Sequence, residues 1–269
     1  MSPTDNDGRS RSITANPYLV SQDPVAPQRM LHVTPRDAEV LLAHVPGQAV
    51  EREQPGSPEH AYLDRYIRKP WGHELRVYDD RWIDVWRLAI GAGKSTSLHA
   101  HPRKDTCLIC IGGSGVLESG SGAPIPLAEG TVVHIGPAAL HRTTTVAGVS
   151  LLEVELPRDK FDLVRIGDRY GRAGSSYEGE DASSPEPCPL VEHAGGPPGA
   201  RLRRHCATGC FRFNLERGAR AWRNPGDLVA AISLDTSAVL SRELIVLGAG
   251  AGGALDRTEL YLTVRTNHR

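Results

Sequence analysis

Short hydrophobic runs of four to nine residues, separated by glycine and proline, dominate the chain from Tyr62 to about Arg172. Runs such as Trp82–Ile90, Thr106–Ile111 and Val149–Leu156 have the length of β-strands, and they lack the periodicity of an amphipathic helix. Polar turns punctuate them at short intervals. This pattern predicts an all-β, antiparallel sandwich or barrel in the middle of the chain.

The regions on either side of this central part differ from it in amino-acid composition. The first 30 or so residues are polar and contain four prolines, which is typical of a frayed tail. Thr34-Pro35 is typical of a helix start, with Thr34 as the cap, and this helix is expected to end at His44. Residues 173–200 are rich in glycine, serine and proline and predict a linker. We therefore expect a tail and helix (1–60), a central domain (61–172), the linker, and a smaller β-rich unit (201–269).

Composition narrows the possible partners. The 269 residues carry 31 Lys and Arg against 32 Asp and Glu, a net charge of −1. No basic field is available to hold nucleic acid or anionic lipid, so neither is expected as a partner. No apolar run approaches the roughly 18 residues of a membrane span, and no signal peptide is apparent. With five cysteines, an odd number, a reducing cytoplasmic location is expected.

Three histidines form the main candidate site. His99 and His101 are two positions apart, so on a strand their imidazoles lie on the same face. His141 follows the Gly136-Pro137 turn and is expected on a neighbouring strand. Two ring nitrogens from one strand and one from another suit a metal site with open positions for a substrate. A single histidine is more commonly a core or surface residue than a metal ligand. The spacing of the surrounding residues is therefore needed to distinguish a metal site from these ordinary roles.

The spacing around these histidines resembles the two motifs of the cupin superfamily. Gly93-x5-His99-x-His101-x3-Asp105-x6-Gly112 resembles the first motif, with aspartate where glutamate is usual. Gly130-x10-His141-x3-Thr145 resembles the second. The resemblance implies a cupin jelly-roll barrel, and a degenerate second cupin is one alternative for the smaller β-rich C-terminal unit. It also implies one divalent transition metal, Zn, Fe, Mn or Ni, held by three histidines alone or together with Asp105.

The flanking segments resemble one branch of that superfamily, the type II mannose-6-phosphate isomerase domains. The segments that carry this resemblance cover about residues 66–172 and are Lys69–Glu74, Ser97–His101, Glu153–Glu155, Asp162–Arg165 and Asp168–Arg172. The stretch Tyr170–Gly179 is also similar to cupins of surface-polysaccharide gene clusters. The resemblance implies a homodimer and a small-molecule substrate related to a sugar phosphate.

Candidate roles follow from the chemistry of an aldose–ketose isomerisation, which needs a metal or other Lewis acid, a base and an anion-binding group. Glu153, Glu155 and Arg142 are the candidate catalytic residues. The candidate substrate-binding residues are Lys69, Arg103, Lys104, Arg165 and Arg172. Two alternatives stay open: the arginines are solvated surface charges, or Glu153 and Glu155 form buried salt bridges with Arg165 or Arg172.

The sequence therefore favours a metal-dependent sugar isomerase or epimerase. A mononuclear Fe(II) oxygenase is the first alternative, because an open histidine site also suits O₂ chemistry. The second alternative is a sugar-binding module without catalytic activity.

Overall fold

A computed structural model describes residues 29–44, 52–120, 122–184, 189–203, 211–223, 227–234, 246–248 and 255–266. Most of the expected N-terminal tail therefore lies outside the described residues. The predicted helix is confirmed as α1 (Pro35–His44). Its first turn is closed by reciprocal bonds: the Asp37 N–H donates to Thr34 Oγ1 (3.2 Å), and the Thr34 N–H donates to Asp37 Oδ2 (2.9 Å).

The predicted all-β jelly-roll barrel is confirmed by the central strands. In chain order they are β1 (Arg29–Leu31), β2 (Tyr66–Lys69), β3 (Gly72–Asp79), β4 (Asp84–Ile90), β5 (Leu98–Ala100), β6 (Asp105–Ser119), β7 (Ile125–Ala128), β8 (Val132–Ile135), β9 (His141–Thr144), β10 (Val149–Leu156) and β11 (Val164–Gly167). A 3₁₀-helix, Pro58–Asp64, precedes β2.

Strand β6 connects the two layers of the barrel. Its first half pairs with β8 and β10, and its second half pairs with β7 and β9. On the far side of β9, strands β5 and β11 complete the second layer, while β4 and β3 extend the first layer beyond β10. Because β6 belongs to both layers, the strands enclose an interior into which both layers direct side chains.

Strand β10 is hydrophobic on one side and mixed on the other. Leu152 and Val154 pack into a cluster shared with the C-terminal strands. Leu151 lies in the barrel interior, and Glu153 and Glu155 line the interior cavity on the same side of the strand. Both faces of β10 are therefore buried, one of them apolar and the other carrying the two glutamates.

The C-terminal residues form a separate sheet packed on the barrel. Its elements are β14 (Phe211–Arg217), α2 (Gly218–Arg223), β15 (Leu228–Ser233), β16 (Val246–Gly248) and β17 (Leu260–Thr266), with strand order β14-β17-β15-β16. Phe213, Ile232 and Leu262 share one core cluster with Val77 and Ile109 of the barrel. The unit thus covers the outer face of the first barrel layer.

The stretch predicted as a linker contains the short strand β12 (Val191–Glu192). It pairs with β13 (Arg201–Leu202), which lies just beyond that stretch and pairs with β3, so both strands extend the first layer. A 3₁₀-turn, Glu180–Ala182, lies beside β2, and Ile67 and Ser183 form an isolated bridge. The glycine-rich composition predicted the irregular backbone but not these pairings. Among the described residues, no helix is long and apolar enough to cross a membrane.

Gly72, at the start of β3, occupies a position that no other residue fits. Its φ is +145°, and a Cβ built there would lie 2.0 Å from the backbone oxygen of Ala89. We expect Gly72→Ala to destabilise the protein by about 3 kcal/mol or more, measured by urea unfolding. Gly56→Ala is the matched control, since Gly56 also has a positive φ (+79°) but open space around it. Equal, small losses in both variants would contradict the steric explanation.

Candidate metal centre

The three predicted histidines meet in the barrel interior. His99 lies in β5, directly opposite His141 at the start of β9, and His101 follows the end of β5. One possible ligand atom from each of the three lies within 4.8 Å of the other two, and all three residues are buried. The sequence spacing therefore placed the histidines together correctly, and they form a group that could hold a metal ion.

Hydrogen bonds fix the orientation of each imidazole. Nδ1 of His99, His101 and His141 lies 2.9, 2.6 and 2.9 Å from a backbone carbonyl oxygen, in the order Ser97, Asp162 and Ala139. A carbonyl can only accept, so Nδ1 carries the hydrogen in each ring and Nε2 keeps its lone pair. Nε2 of His101 and of His141 is buried and has no hydrogen-bond partner among the described residues.

Burial also keeps the three rings neutral. It lowers the pKa of His99 and of His101 well below the usual histidine value, and it lowers the pKa of His141 to about 4. Neutral imidazole is the form that binds a metal ion, and a carbonyl partner on the other nitrogen is the usual second interaction of a ligating histidine. The residues present therefore fit a divalent transition metal.

Asp105, the fourth candidate ligand, lies outside this group. It is buried at the start of β6, but its carboxylate is not among the possible ligand atoms that cluster within 4.8 Å in the described part of the chain. The carboxylates nearest the histidines are instead those of Glu153 and Glu155 on β10, which form a second group with His101. The aspartate side chain is one methylene shorter than the glutamate of the cupin motif.

Glu153 and Glu155 pair with lysines. Lys104 Nζ lies 2.8 Å from Glu155 Oε1, and Lys160 Nζ lies 3.2 Å from Glu153 Oε2 and 3.3 Å from Glu155 Oε1. Burial raises the pKa of Glu153. Burial alone would also raise the pKa of Glu155, but the charges of Lys104 and Lys160 outweigh this effect and lower the pKa to about 2. Glu153 and Glu155 therefore do form buried salt bridges, as one alternative proposed, but their partners are lysines and not Arg165 or Arg172.

Three further predicted residues contribute to the cavity beside the histidines. Lys69, Arg165 and Arg172 line it, as do His99 and His101. Their side chains are largely buried, so they are not solvated surface charges. The structure thus brings His99, His101, the β10 glutamates and a cationic cluster into one cavity.

Arg142 and Arg103 do not line this cavity. Arg142 follows His141 on β9, so it points to the opposite face, where it pairs with Glu118. Arg103 binds the carboxylates of Asp159 and Asp162 at 2.7 and 2.8 Å. Since the Asp162 carbonyl accepts the bond from His101, Arg103 helps to position that imidazole and does not face a substrate in the cavity.

Four cavity or mouth residues were not among the candidates. Lys160 contacts Glu74, Glu153 and Glu155, and Tyr177 donates a hydrogen bond to Glu74. Glu178 pairs with the cationic cluster. In the sequence, Glu74, Tyr177 and Glu178 are distinguished only because they lie in Lys69–Glu74 and Tyr170–Gly179, two of the segments that carry the family resemblance. Lys160 carries no sequence signal, because it comes from the turn after β10 and returns to the cavity through the fold.

No family model and no curated protein matches the chain. Solved structures with a similar fold include KdgF from Halomonas sp., with 16% identity and a TM-score of 0.32 over 34% of this chain and 83% of that one. A protein with a double-stranded beta-helix domain from Klebsiella pneumoniae has 18% identity and a TM-score of 0.30 over 39% and 91%. Ectoine synthase from P. lautus has 18% identity and a TM-score of 0.27 over 30% and 64%. By its own strand topology, the chain has the double-stranded β-helix fold of the cupins, with a buried histidine group that could hold a metal ion.

Proposed function

We propose that this protein is a metal-dependent enzyme that moves a proton on a small, polar, sugar-like substrate, as a sugar phosphate isomerase or epimerase does. The observation that carries the proposal is a group of three neutral imidazoles, each with Nδ1 bonded to a carbonyl. Two of them, His99 and His101, line one cavity together with buried glutamates and lysines.

His99, His101 and His141 would hold the metal ion, which would supply a Lewis acid for a substrate carbonyl or hydroxyl. Glu153 is the residue that we propose as acid–base group, since it lies on the cavity side of β10 near His101. Its lysine partner, Lys160, holds the carboxylate in place and supplies a compensating charge when the proton leaves it. Glu155 keeps Lys104 at the cavity wall through a 2.8 Å bond.

The experiment combines metal content with proton exchange. Protein purified without a His tag should contain about one equivalent of a divalent transition metal by mass spectrometry. In D₂O it should exchange a carbon-bound hydrogen beside the carbonyl of a sugar phosphate, followed by proton NMR over a panel of aldose and ketose phosphates. Glu153→Gln should slow the exchange by about 10²–10⁴-fold and retain the metal. The exposed Glu129→Gln variant is the matched control and should exchange at the parent rate.

Three outcomes would contradict the proposal. Bound iron together with substrate-dependent O₂ uptake would identify the oxygenase alternative. A folded protein that contains no metal and takes up none on dialysis would favour the sugar-binding module. Exchange that is equally fast in Glu153→Gln would remove Glu153 from the chemistry.

A further inference from the structure

Three cations converge on one carboxylate at the mouth of the cavity. Arg165 Nη2 lies 2.9 Å from Glu178 Oε1, and Arg172 Nη1 pairs with the same oxygen. Lys69 Nζ pairs with the other oxygen, Oε2. Their side chains come from different places in the chain: the end of β2, strand β11 and the turn after it. The barrel therefore builds a concentrated positive site, and the Glu178 carboxylate occupies it.

This site has more donors than one carboxylate can use. The two oxygens of Glu178 serve three cations, with Oε1 shared between both arginines. The Nε atoms of Arg165 and Arg172 are buried and have no hydrogen-bond partner among the described residues. The Arg165 side chain is only 4% exposed, so this unused donor is shielded from bulk solvent. Buried donors without partners are costly, and they point to a ligand with additional acceptor oxygens.

The cationic site lies one strand away from the histidine group. Arg165 on β11 is directly opposite His99 on β5 in the antiparallel pair. Paired residues in such a sheet are separated by about 5 Å. Both residues line the same cavity, so one small molecule can contact the guanidinium at one end and the metal centre at the other.

Glu178 comes from a segment that lies on the surface of the barrel. Residues 173–176, 179 and 180 are exposed, and only Tyr177 and Glu178 point inwards. Gly174, in the left-handed region with φ +73°, precedes the inserted pair, and Gly179 follows it. Beyond Gly179 the backbone is held by Arg68, which donates to the carbonyl oxygens of Asp181 and Ala182. The inserted pair thus lies between two glycines. Its backbone is held by Tyr62, which donates to the Glu178 carbonyl oxygen (3.0 Å), and by Arg165 Nη1, which donates to the Ser176 carbonyl oxygen (2.6 Å).

We propose that Lys69, Arg165 and Arg172 form a binding site for the phosphate group of the substrate, and that Glu178 is an internal competitor which this phosphate displaces. The proposal deepens the proposed function, on which it rests for the reaction at the other end of the cavity. Displacement moves the Glu178 carboxylate out to solvent and opens the mouth of the cavity.

A phosphate group fits the donor set better than a carboxylate does. A phosphomonoester has three terminal oxygens and a charge near −2 at neutral pH, so each of the three cations can have an oxygen of its own. Two of the three cations have another carboxylate partner: Glu74 lies 2.5 Å from Lys69 Nζ, and Asp168 lies 2.7 Å from Arg172 Nη2. Among the described residues, Arg165 forms an ion pair with Glu178 and with no second carboxylate. Of the three cations, Arg165 therefore gains most from an incoming anion.

Calorimetric titration with inorganic phosphate tests the proposal on the full chain. Removing the competitor with Glu178→Gln should tighten phosphate binding by about tenfold, because a site that is occupied most of the time binds in proportion to its free fraction. Glu180→Gln makes the same charge change on the same segment, at an exposed side chain paired with Arg65, and should leave the affinity unchanged. Adding Arg165→Met to Glu178→Gln should abolish the binding.

The displacement has its own measurement. Hydrogen exchange of residues 173–180 in the parent protein should become faster when phosphate saturates it. Unchanged affinity in Glu178→Gln, equal tightening in Glu180→Gln, exchange that slows with phosphate, or acetate that binds as tightly as phosphate would each overturn the proposal. All titrations are carried out on metal-free protein without turnover, so the anion site and the proposed metal chemistry succeed or fail separately.

Discussion

Replacing His141 by alanine should eliminate stoichiometric metal binding. His141 supplies one of three possible ligand atoms that lie within 4.8 Å of one another. Its Nε2 is buried, and its Nδ1 is committed to the Ala139 carbonyl. Two imidazoles remain in the variant, too few for a stable protein site. The loss of affinity should therefore exceed the roughly 10–100-fold that removal of an outer-shell partner costs. Metal content by mass spectrometry and titration of the metal-free protein measure it.

His134→Ala is the matched control for this variant. His134 is also a buried imidazole, and burial also lowers its pKa to about 4, but its Nε2 lies 3.4 Å from Cys107 Sγ, away from the group. The control should bind one equivalent of metal. Added metal should raise the melting temperature of the parent and of His134→Ala but not that of His141→Ala, because only a ligand bound to the native state stabilises it. Unchanged metal affinity in His141→Ala would contradict the proposed centre.

The barrel could be predicted from the sequence because local patterns determine it. Thr34 and Pro35 specify the start of α1 through capping, and the capping bonds are present. The apolar runs of β4, β6 and β10 predicted strands, and the alternation of leucine and valine with Glu153 and Glu155 along β10 matches its two faces. The pairings of β12 and β13 were not predictable, since two-residue strands in a glycine-rich stretch carry no periodic signal.

The histidine part of the candidate site could be predicted because it depends on the spacing of residues along the sequence. His99 and His101 share a strand face by simple alternation, and the motif spacing added His141. The same alternation places Arg142 on the opposite face of β9 from His141, where it pairs with Glu118. Adjacency in sequence to a candidate ligand therefore does not bring a side chain into the same cavity.

Residues that reach the cavity through the fold were missed for a different reason. Lys160 follows the turn after β10, and Glu178 lies in the stretch predicted as a linker. Lys160 balances the charges of Glu153 and Glu155, and Glu178 balances those of Arg165 and Arg172. All four of these partners were candidate site residues in the sequence. A group of buried charges requires partners, but which residues supply them depends on the paths of loops, and the composition of a loop does not encode its path.

Replacing Lys160 by methionine should destabilise the fold more than other single changes in the cavity wall. Lys160 Nζ is within 3.5 Å of carboxylate oxygens of Glu74, Glu153 and Glu155, and it lies 4.2 Å from the centre of the Trp86 ring. Methionine fills a similar volume but leaves the glutamates with one compensating charge fewer. Removing one member of a buried ion network costs about 3–5 kcal/mol, which urea unfolding at pH 7 should show.

The pH dependence of this loss identifies its cause. Burial alone would raise the pKa of Glu74, but the charges of Lys160 and Lys69 outweigh it and lower the pKa from 4.5 to about 2. A carboxyl whose pKa is lower in the folded state contributes its full stability above the unfolded value and loses it as the pH falls towards the folded value. The difference between parent and Lys160→Met should therefore shrink as the pH falls from 4.5 towards 2. Lys94→Met, at an exposed lysine, should change stability by no more than about 0.5 kcal/mol at any pH. A loss in Lys160→Met that did not vary with pH would show that the lysine acts through packing alone, because a packing contribution does not depend on the ionisation of Glu74.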